Sequence, residues 1–228
     1  MYFAATSPLK AARRRAMDTS EMTDTSIRPL RINDRAPDFT ARTTLGQKRL
    51  SDYRGRWLVL FSHPADFTPV CTSEFIGLAR RQAAFDALGC DLMALSVDSL
   101  YSHLAWIRDI HDRLGVKVEF PIIEDPSMVI GQAYGMIDPA SPDSATVRAT
   151  FIIDPAGIIR AISWYPMTVG RSVDELLRLV GALQASDREG ASAPEGWSPG
   201  KPLLEPAAVD LDTALKDGEL WYYRERRA

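Results

Sequence analysis

Cysteine and histidine are the scarce residues of this chain: 228 residues hold two cysteines, Cys71 and Cys90, and three histidines, His63, His103 and His111. Two cysteines make no disulfide framework, which points to a reducing compartment such as the cytoplasm. They form no Cys-x-x-Cys pair, so the usual dithiol exchange centre is missing. The histidines stand at no zinc-ligand spacing with them, and no metal or other cofactor is expected. His103 and His111 lie eight apart on an expected helix, near one face that is as readily solvated as functional. An excess of one charge is lacking too. The formal net charge is -3, and apart from the short run Arg13-Arg14-Arg15 no basic block suggests nucleic acid or an anionic membrane as partner. No apolar run approaches the roughly 20 residues of a membrane-spanning helix, so no membrane span is expected.

What the chain does have is one dense stretch, WLVLFSHPADFTPVCTSEF, from Trp57 to Phe75. The apolar run Trp57 to Phe61 reads as a buried strand, and Pro64 and Asp66 mark the turn that ends it. Thr68 followed by Pro69 is an N-cap residue followed by the helical position that favours proline. Cys71 therefore falls in the first turn of a helix, where free N–H groups and the positive end of the dipole favour a thiolate. The spacing Pro64-x-x-x-Thr68-x-x-Cys71 sets a hydroxyl three residues before the sulfur.

Along the rest of the chain, a leader over 1–30, Arg-containing and without acidic residues to about Met17 and acidic from Asp18 to Asp24, is expected to be disordered, with an organelle-targeting role as the alternative. From Ala36, alternating segments around Gly46 predict a β-hairpin. The helix at Cys71 is expected to run from Pro69 to about Leu88, with Leu78, Ala79, Ala83 and Phe85 available to pack inward and Gly89 as its stop. Cys90 to Asp98 reads as a strand parallel to the first across a βαβ unit. A helix over SHLAWIRDIHDRLG follows, with Leu104, Ile107 and Leu114 at helical spacing, then a strand over Phe120 to Ile123 and a short helix opened by Pro126. Asp154-Pro155-Ala156-Gly157 joins strands Thr146 to Asp154 and Ile158 to Tyr165 as a hairpin. A helix capped by Ser172 runs from Val173 to about Ala185. The fold class is α/β, thioredoxin-like in its β-α-β then β-β-α order, over 31–186. The segment 187–228, rich in Gly, Pro, Ser and Ala with Trp197 and Trp221, is an extension.

The wording HPADFTPVCT, together with VDSLYSHLAW, resembles the peroxiredoxins, in particular their one-cysteine class. The resemblance covers nearly everything from Ala36 onward. It implies a thiol-dependent peroxidase that reduces hydrogen peroxide and small alkyl hydroperoxides through a cysteine sulfenic acid. Cys71 matches the attacking cysteine, Thr68 the hydroxyl that bonds peroxide and sulfur, Pro64 the residue that shields the site, and Arg148 the arginine that stabilises the thiolate. Glu74 and Arg171 match positions that orient Arg148 and the peroxide, and His63 matches a histidine beside the cysteine. The C-terminal segment is similar to one used in dimer contact, which implies a homodimer or higher ring. Cys90 is the sole candidate for a resolving cysteine in the chain. About 25 Å of unbroken helix would separate it from Cys71, far beyond disulfide reach. An external thiol such as thioredoxin or glutathione is therefore the expected reductant. The rival readings are a redox-linked holdase chaperone, a peroxide-sensing relay, or a thiol-disulfide oxidoreductase.

Overall fold

Alternating apolar and polar stretches build one mixed sheet with helices against it. The computed structural model describes residues 28–137 and 143–226, and the expected leader lies almost wholly outside them. The hairpin forms as expected from β1 (Thr40–Thr43) and β2 (Gly46–Arg49), with Gly46 at φ +83. Next come β3 (Trp57–Ser62), α1 (Pro69–Arg80), α2 (Gln82–Ala87), β4 (Cys90–Ser96) and α3 (Leu100–Leu114). They are followed by β5 (Ile122–Glu124), α4 (Val129–Ala133), β6 (Arg148–Ile153), β7 (Ile159–Tyr165) and α5 (Val173–Glu189). The tail adds β8 (Leu203–Leu204), α6 (Leu211–Asp217) and β9 (Glu225–Arg226).

The main sheet has the order β2-β1-β5-β4-β3-β6-β7. β3 runs parallel to β4, as expected for a strand-helix-strand unit, and antiparallel to β6. All six residues of β3 are buried because both faces of the strand are covered. Trp57, Val59 and Phe61 point into one core with Cys71, Phe75 and Trp106, while Leu58 and Leu60 enter the other with Phe151 and Tyr134. The two-residue period of a strand continues past Phe61, so His63 emerges on the side of the sheet where Cys71 lies.

Four expectations about the helices need correction. The helix after Cys71 breaks at Arg81, whose N–H turns back to Leu78 O at 3.0 Å; the break lets Phe85 bury while Ala83 is exposed. No glycine or proline marks it. In α3 the inward face is His103, Trp106 and Ile110, with Leu104 and Leu114 exposed. His103 and His111 therefore part company, the first buried and the second exposed. α4 starts after Met128, a left-handed residue at φ 61, later than Pro126 suggested. α5 has the Ser172 cap, whose hydroxyl accepts from Glu175 N, but continues a turn beyond Ala185 to Gly190. Beyond it, Trp197 and Leu203 pack on Ala182 and Ala185, so the start of the tail has a small core of its own.

Phe85 is fully buried and holds α2 against the sheet. Phe85→Ala is expected to cost about 3–5 kcal/mol, whereas Tyr101→Ala on the exposed start of α3 should stay within about 0.5 kcal/mol. Urea unfolding of both variants checks the difference.

Candidate active site

The site is built at the C-terminal end of β3. Ser62 ties that end to β6: its hydroxyl donates to Val147 O at 2.5 Å and accepts from Ala149 N at 3.1 Å. Thr146 Oγ1 donates to His63 O at 2.7 Å. Phe61 pairs with Thr150, so two further steps of the antiparallel register bring Arg148 level with His63. Pro64 is buried behind this seam. The chain then turns through Phe67, a phenylalanine at φ 56, a strained conformation for a bulky residue. Thr68 leads into α1 with extended N-cap backbone.

Cys71 is fully buried in the first turn of α1, and both cysteines are free thiols. Arg148 Nη1 donates to Cys71 Sγ at 3.4 Å and to Glu74 Oε2 at 2.8 Å. Its Nε and Nη2 both donate to Met167 O, at 3.0 and 2.8 Å, so the guanidinium is held on three sides. Glu74 is the hinge of the cluster. Its Oε1 accepts from the backbone N and Nε of Arg171 at 2.7 and 2.8 Å, and its Oε2 from Arg171 Nη2 at 2.7 Å. Arg171 Nη1 continues to Ala149 O and Thr150 Oγ1, and its guanidinium lies 5.1 Å from the centre of the Phe61 ring. Two guanidiniums thus share one carboxylate in a buried place, and the surplus positive charge faces the sulfur.

The predicted site residues fall into place unequally. Cys71, Glu74, Arg148 and Arg171 form one hydrogen-bonded cluster. Thr68 is adjacent, but its hydroxyl proton goes to Ala65 O at 2.8 Å instead of capping the helix, which leaves the lone pairs of Thr68 Oγ1 as acceptors. His63 is fully buried and bonded through Nε2 to Asp66 Oδ1 at 2.9 Å. The sequence reading missed Asp66, treated only as a turn former, and His103, placed on a helix face. Asp66 Oδ2 lies 2.8 Å from His103 Nδ1, so residues 37 apart in sequence meet. Two of the three histidines are thus brought together by the fold: His63, Asp66 and His103 lie close enough to be weighed as a metal-binding group, against the expectation of no metal site. The signal available was the i, i+3 spacing of His63 and Asp66; nothing in the sequence marked His103 as its third member.

Cys90 stands apart. It pairs with Trp57 at the opposite end of β3, which spans about 16 Å at 3.3 Å per residue. The unbroken helix of about 25 Å is not there, but the length of β3 still keeps Cys90 beyond disulfide reach of Cys71. Burial pushes the Cys90 thiol up to about 12, which leaves it protonated and unreactive.

Burial by itself would raise the Glu74 carboxyl, but the hydrogen bonds and charge of Arg171, with the charge of Arg148, outweigh it and hold Glu74 below the ordinary glutamate range. A depressed carboxyl stabilises the fold above its unfolded value and loses that contribution as pH falls through the folded one. Glu74→Gln is expected to cost about 3–5 kcal/mol at neutral pH. Below about pH 4 the stability of wild type should fall more steeply than that of the variant. Urea midpoints across the acid range measure both effects.

Residues 32–162 match the AhpC/TSA family. A protein of Thermoplasma acidophilum called peroxiredoxin 2 is 46% identical over 198 residues, covering 85% of this chain and 98% of its own. Another so named, from Caldanaerobacter subterraneus, is 50% identical over 171 residues, covering 75% of this chain and 77% of its own. Among solved structures, a yeast mitochondrial 1-Cys peroxiredoxin, described with a thiol resolving mechanism via glutathione/thioredoxin systems, superposes with a TM-score of 0.75 at 42% identity, covering 83% of this chain and 93% of its own. A peroxiredoxin 6 variant of Arenicola marina gives a TM-score of 0.75 at 33% identity, covering 82% and 88%. With the thiol, its arginine and the thioredoxin-like sheet in place, the chain belongs to the AhpC/TSA family and is a peroxiredoxin, a thiol-dependent peroxidase.

Proposed function

We propose that this peroxidase works by a one-cysteine cycle on hydrogen peroxide and small alkyl hydroperoxides, with reduction by an external thiol. The observation that carries the reading is the 3.4 Å contact from the anchored Arg148 guanidinium to the buried Cys71 sulfur. A Cys71 thiolate attacks one peroxide oxygen, the O–O bond breaks, and the sulfur becomes a sulfenic acid while the second oxygen leaves as water or alcohol after taking a proton. Arg148 stabilises negative charge on the sulfur and on the departing oxygen, which is where fixed donors act most strongly. Glu74 and Arg171 hold Arg148 in place, Thr68 orients the peroxide, Pro64 limits water, and His63 contributes from the β3 side. Full burial of Cys71 favours small peroxides over bulky ones.

The second half of the cycle needs a thiol from outside. Cys90, the other cysteine, starts β4 beside the far end of β3 and is protonated. The relative from yeast mitochondria, with its glutathione/thioredoxin resolution, supports a thiol of that kind as reductant. Two unpaired cysteines suit a reducing compartment such as the cytoplasm. A second copy of the chain is the expected assembly partner: β7 is a sheet edge with Trp164 exposed, and Leu211, Leu215, Leu220 and Trp221 leave an apolar surface on the tail. Among the described residues no helix is long and apolar enough to cross a membrane.

Cys71→Ser should abolish peroxide consumption, Arg148→Gln should lower it by about 100-fold, and Cys90→Ser should leave it within about twofold. The mass of wild type after one equivalent of peroxide should show a single added oxygen on Cys71. A Cys71–Cys90 disulfide in high yield would refute the one-cysteine cycle. Holdase activity that persists in Cys71→Ser, with negligible peroxide turnover by wild type, would favour the chaperone reading.

A further inference from the structure

The tail folds back on α5, and between them lies a cavity of about 400 Å³, none of whose lining residues takes part in the cycle above. Leu88 closes it on one side, next to the turn into β4, where Cys90 pairs with the first residue of β3. The cavity therefore lies toward the end of the sheet away from the sulfur. Gly181 and Ala185 of α5 form its floor, and Trp197 and Leu203 of the tail form its wall. These surfaces are held in place. Gln184 Nε2 donates to Leu88 O at 2.7 Å and staples α5 to the end of α2. Trp197 Nε1 donates to Lys201 O and Trp197 O accepts from Arg178 Nη1, both at 3.0 Å, so this residue is tied at side chain and backbone. Arg226 Nη1 on β9 donates to Glu189 O at 2.6 Å and fastens the last strand of the tail to the end of α5. The space is thus preformed, and its size is at the small end of the range for small-molecule sites.

Two observations bear on what fills it. The first is Gly181, buried in the middle of α5 at ordinary helical backbone, where glycine is disfavoured relative to alanine. Packing does not demand it: a Cβ built there meets only Trp197 Cζ3, at 3.9 Å, an ordinary contact. The absent methyl leaves room in the cavity itself. The second is charge. Three cations line the cavity, Arg188, Lys201 and Arg226, against one carboxylate, Glu189. Arg226 is committed to Glu205 through Nε at 2.6 Å and Nη2 at 2.8 Å, and Arg188 Nε donates to Glu189 Oε1 at 2.9 Å. Lys201 Nζ meets only the carbonyl of Gly196, at 3.2 Å. Among the described residues no carboxylate lies within ion-pair distance of it, so one positive charge stands unanswered beside an apolar floor.

We propose that this cavity binds an amphiphilic carboxylate, its apolar body against Trp197 and in the room left at Gly181, its head group at the Lys201 ammonium. At about 30 Å³ per water-sized group the space takes roughly a dozen non-hydrogen atoms, the size of a ten-carbon acid. A strongly hydrated ligand such as a sugar phosphate suits it poorly. Its hydroxyls would be buried against apolar side chains, and the donors of Gln184, Trp197 and Arg226 already have partners in the protein. A bare hydrocarbon would cover the floor and leave Lys201 without a counter-charge. The site stands apart from the peroxidase chemistry, since none of its residues belongs to the cluster at the sulfur.

The test is calorimetric titration of decanoate, below its micelle-forming concentration, into reduced full-length protein, with decanol as the uncharged counterpart. Wild type should bind one equivalent of decanoate per chain with a dissociation constant in the micromolar range. Tryptophan fluorescence should change in step, and that change should be lost in Trp197→Phe. Gly181→Ala should weaken both ligands by about tenfold, because the added methyl enters the space they use, while its urea midpoint rises through the better helix former. Lys201→Gln should weaken decanoate by about fivefold, the upper worth of an exposed ion pair, and leave decanol unchanged. No saturable binding by wild type, an unchanged decanoate affinity in either Gly181→Ala or Lys201→Gln, or a lower urea midpoint for Gly181→Ala would overturn the proposal. So would a particle mass by light scattering that falls as decanoate is added, since the cavity would then hold a segment of a second copy.

Discussion

One carboxylate carries much of the site. Glu74 lies at the middle of α1 and is bonded to two guanidiniums that reach it from opposite directions, Arg148 from β6 and Arg171 from the segment before α5. Burying one charge without partners is prohibitive, and burying a bonded set of three leaves one net positive charge that has to be answered. The group beside it is the Cys71 sulfur. The helix, the central sheet and the segment before the last helix are joined through the same contacts that bring a buried positive charge to the sulfur.

The geometry also explains why the loop between β3 and α1 tolerates strain. Phe67 has a backbone conformation that costs on the order of 1–3 kcal/mol for such a residue. Its neighbours on both sides are tied down, Asp66 by two histidines and the Asp98 carboxylate, Thr68 by Ala65 O and by Thr72 Oγ1, which donates to Thr68 O. Trp106 Nε1 in turn donates to Thr72 Oγ1 at 3.3 Å, so α3 supports the first turn of α1. The shape of the site is therefore distributed over three elements and does not reside in the loop alone.

Much of this was legible in the sequence where local chemistry dictates local form. The buried strand, the proline-opened helix with Cys71 in its first turn, and the Asp154–Gly157 hairpin all follow from residue type and spacing. Arg148, Glu74 and Arg171 were recognisable only through a family resemblance, since an arginine at a strand start looks the same whether it is solvated or buried. What could not be read has a common cause. The helix break at Arg81 carries no breaking residue, the anchor of Arg148 is a backbone carbonyl at Met167, and the inward face of α3 runs through a histidine and a tryptophan where leucines looked the natural choice. Each depends on what lies across the fold, and a contact between His103 and Asp66 leaves no trace in either neighbourhood.

The two margins of the main sheet differ in character. β2, with the sequence Gly46-Gln47-Lys48-Arg49, presents long cationic side chains at one margin, a composition that discourages another strand from joining. At the other margin the start of β7 is covered by the segment around Asn33, which bonds Ile159, while among the described residues no strand pairs with the outer side of the remainder toward Trp164 and Tyr165. Extension of the sheet is thus favoured at the β7 margin over the β2 margin. Two copies meeting there would use up their open margins in a single two-fold contact and present charged margins outward, so that association by this route ends at a pair and cannot propagate into a fibre.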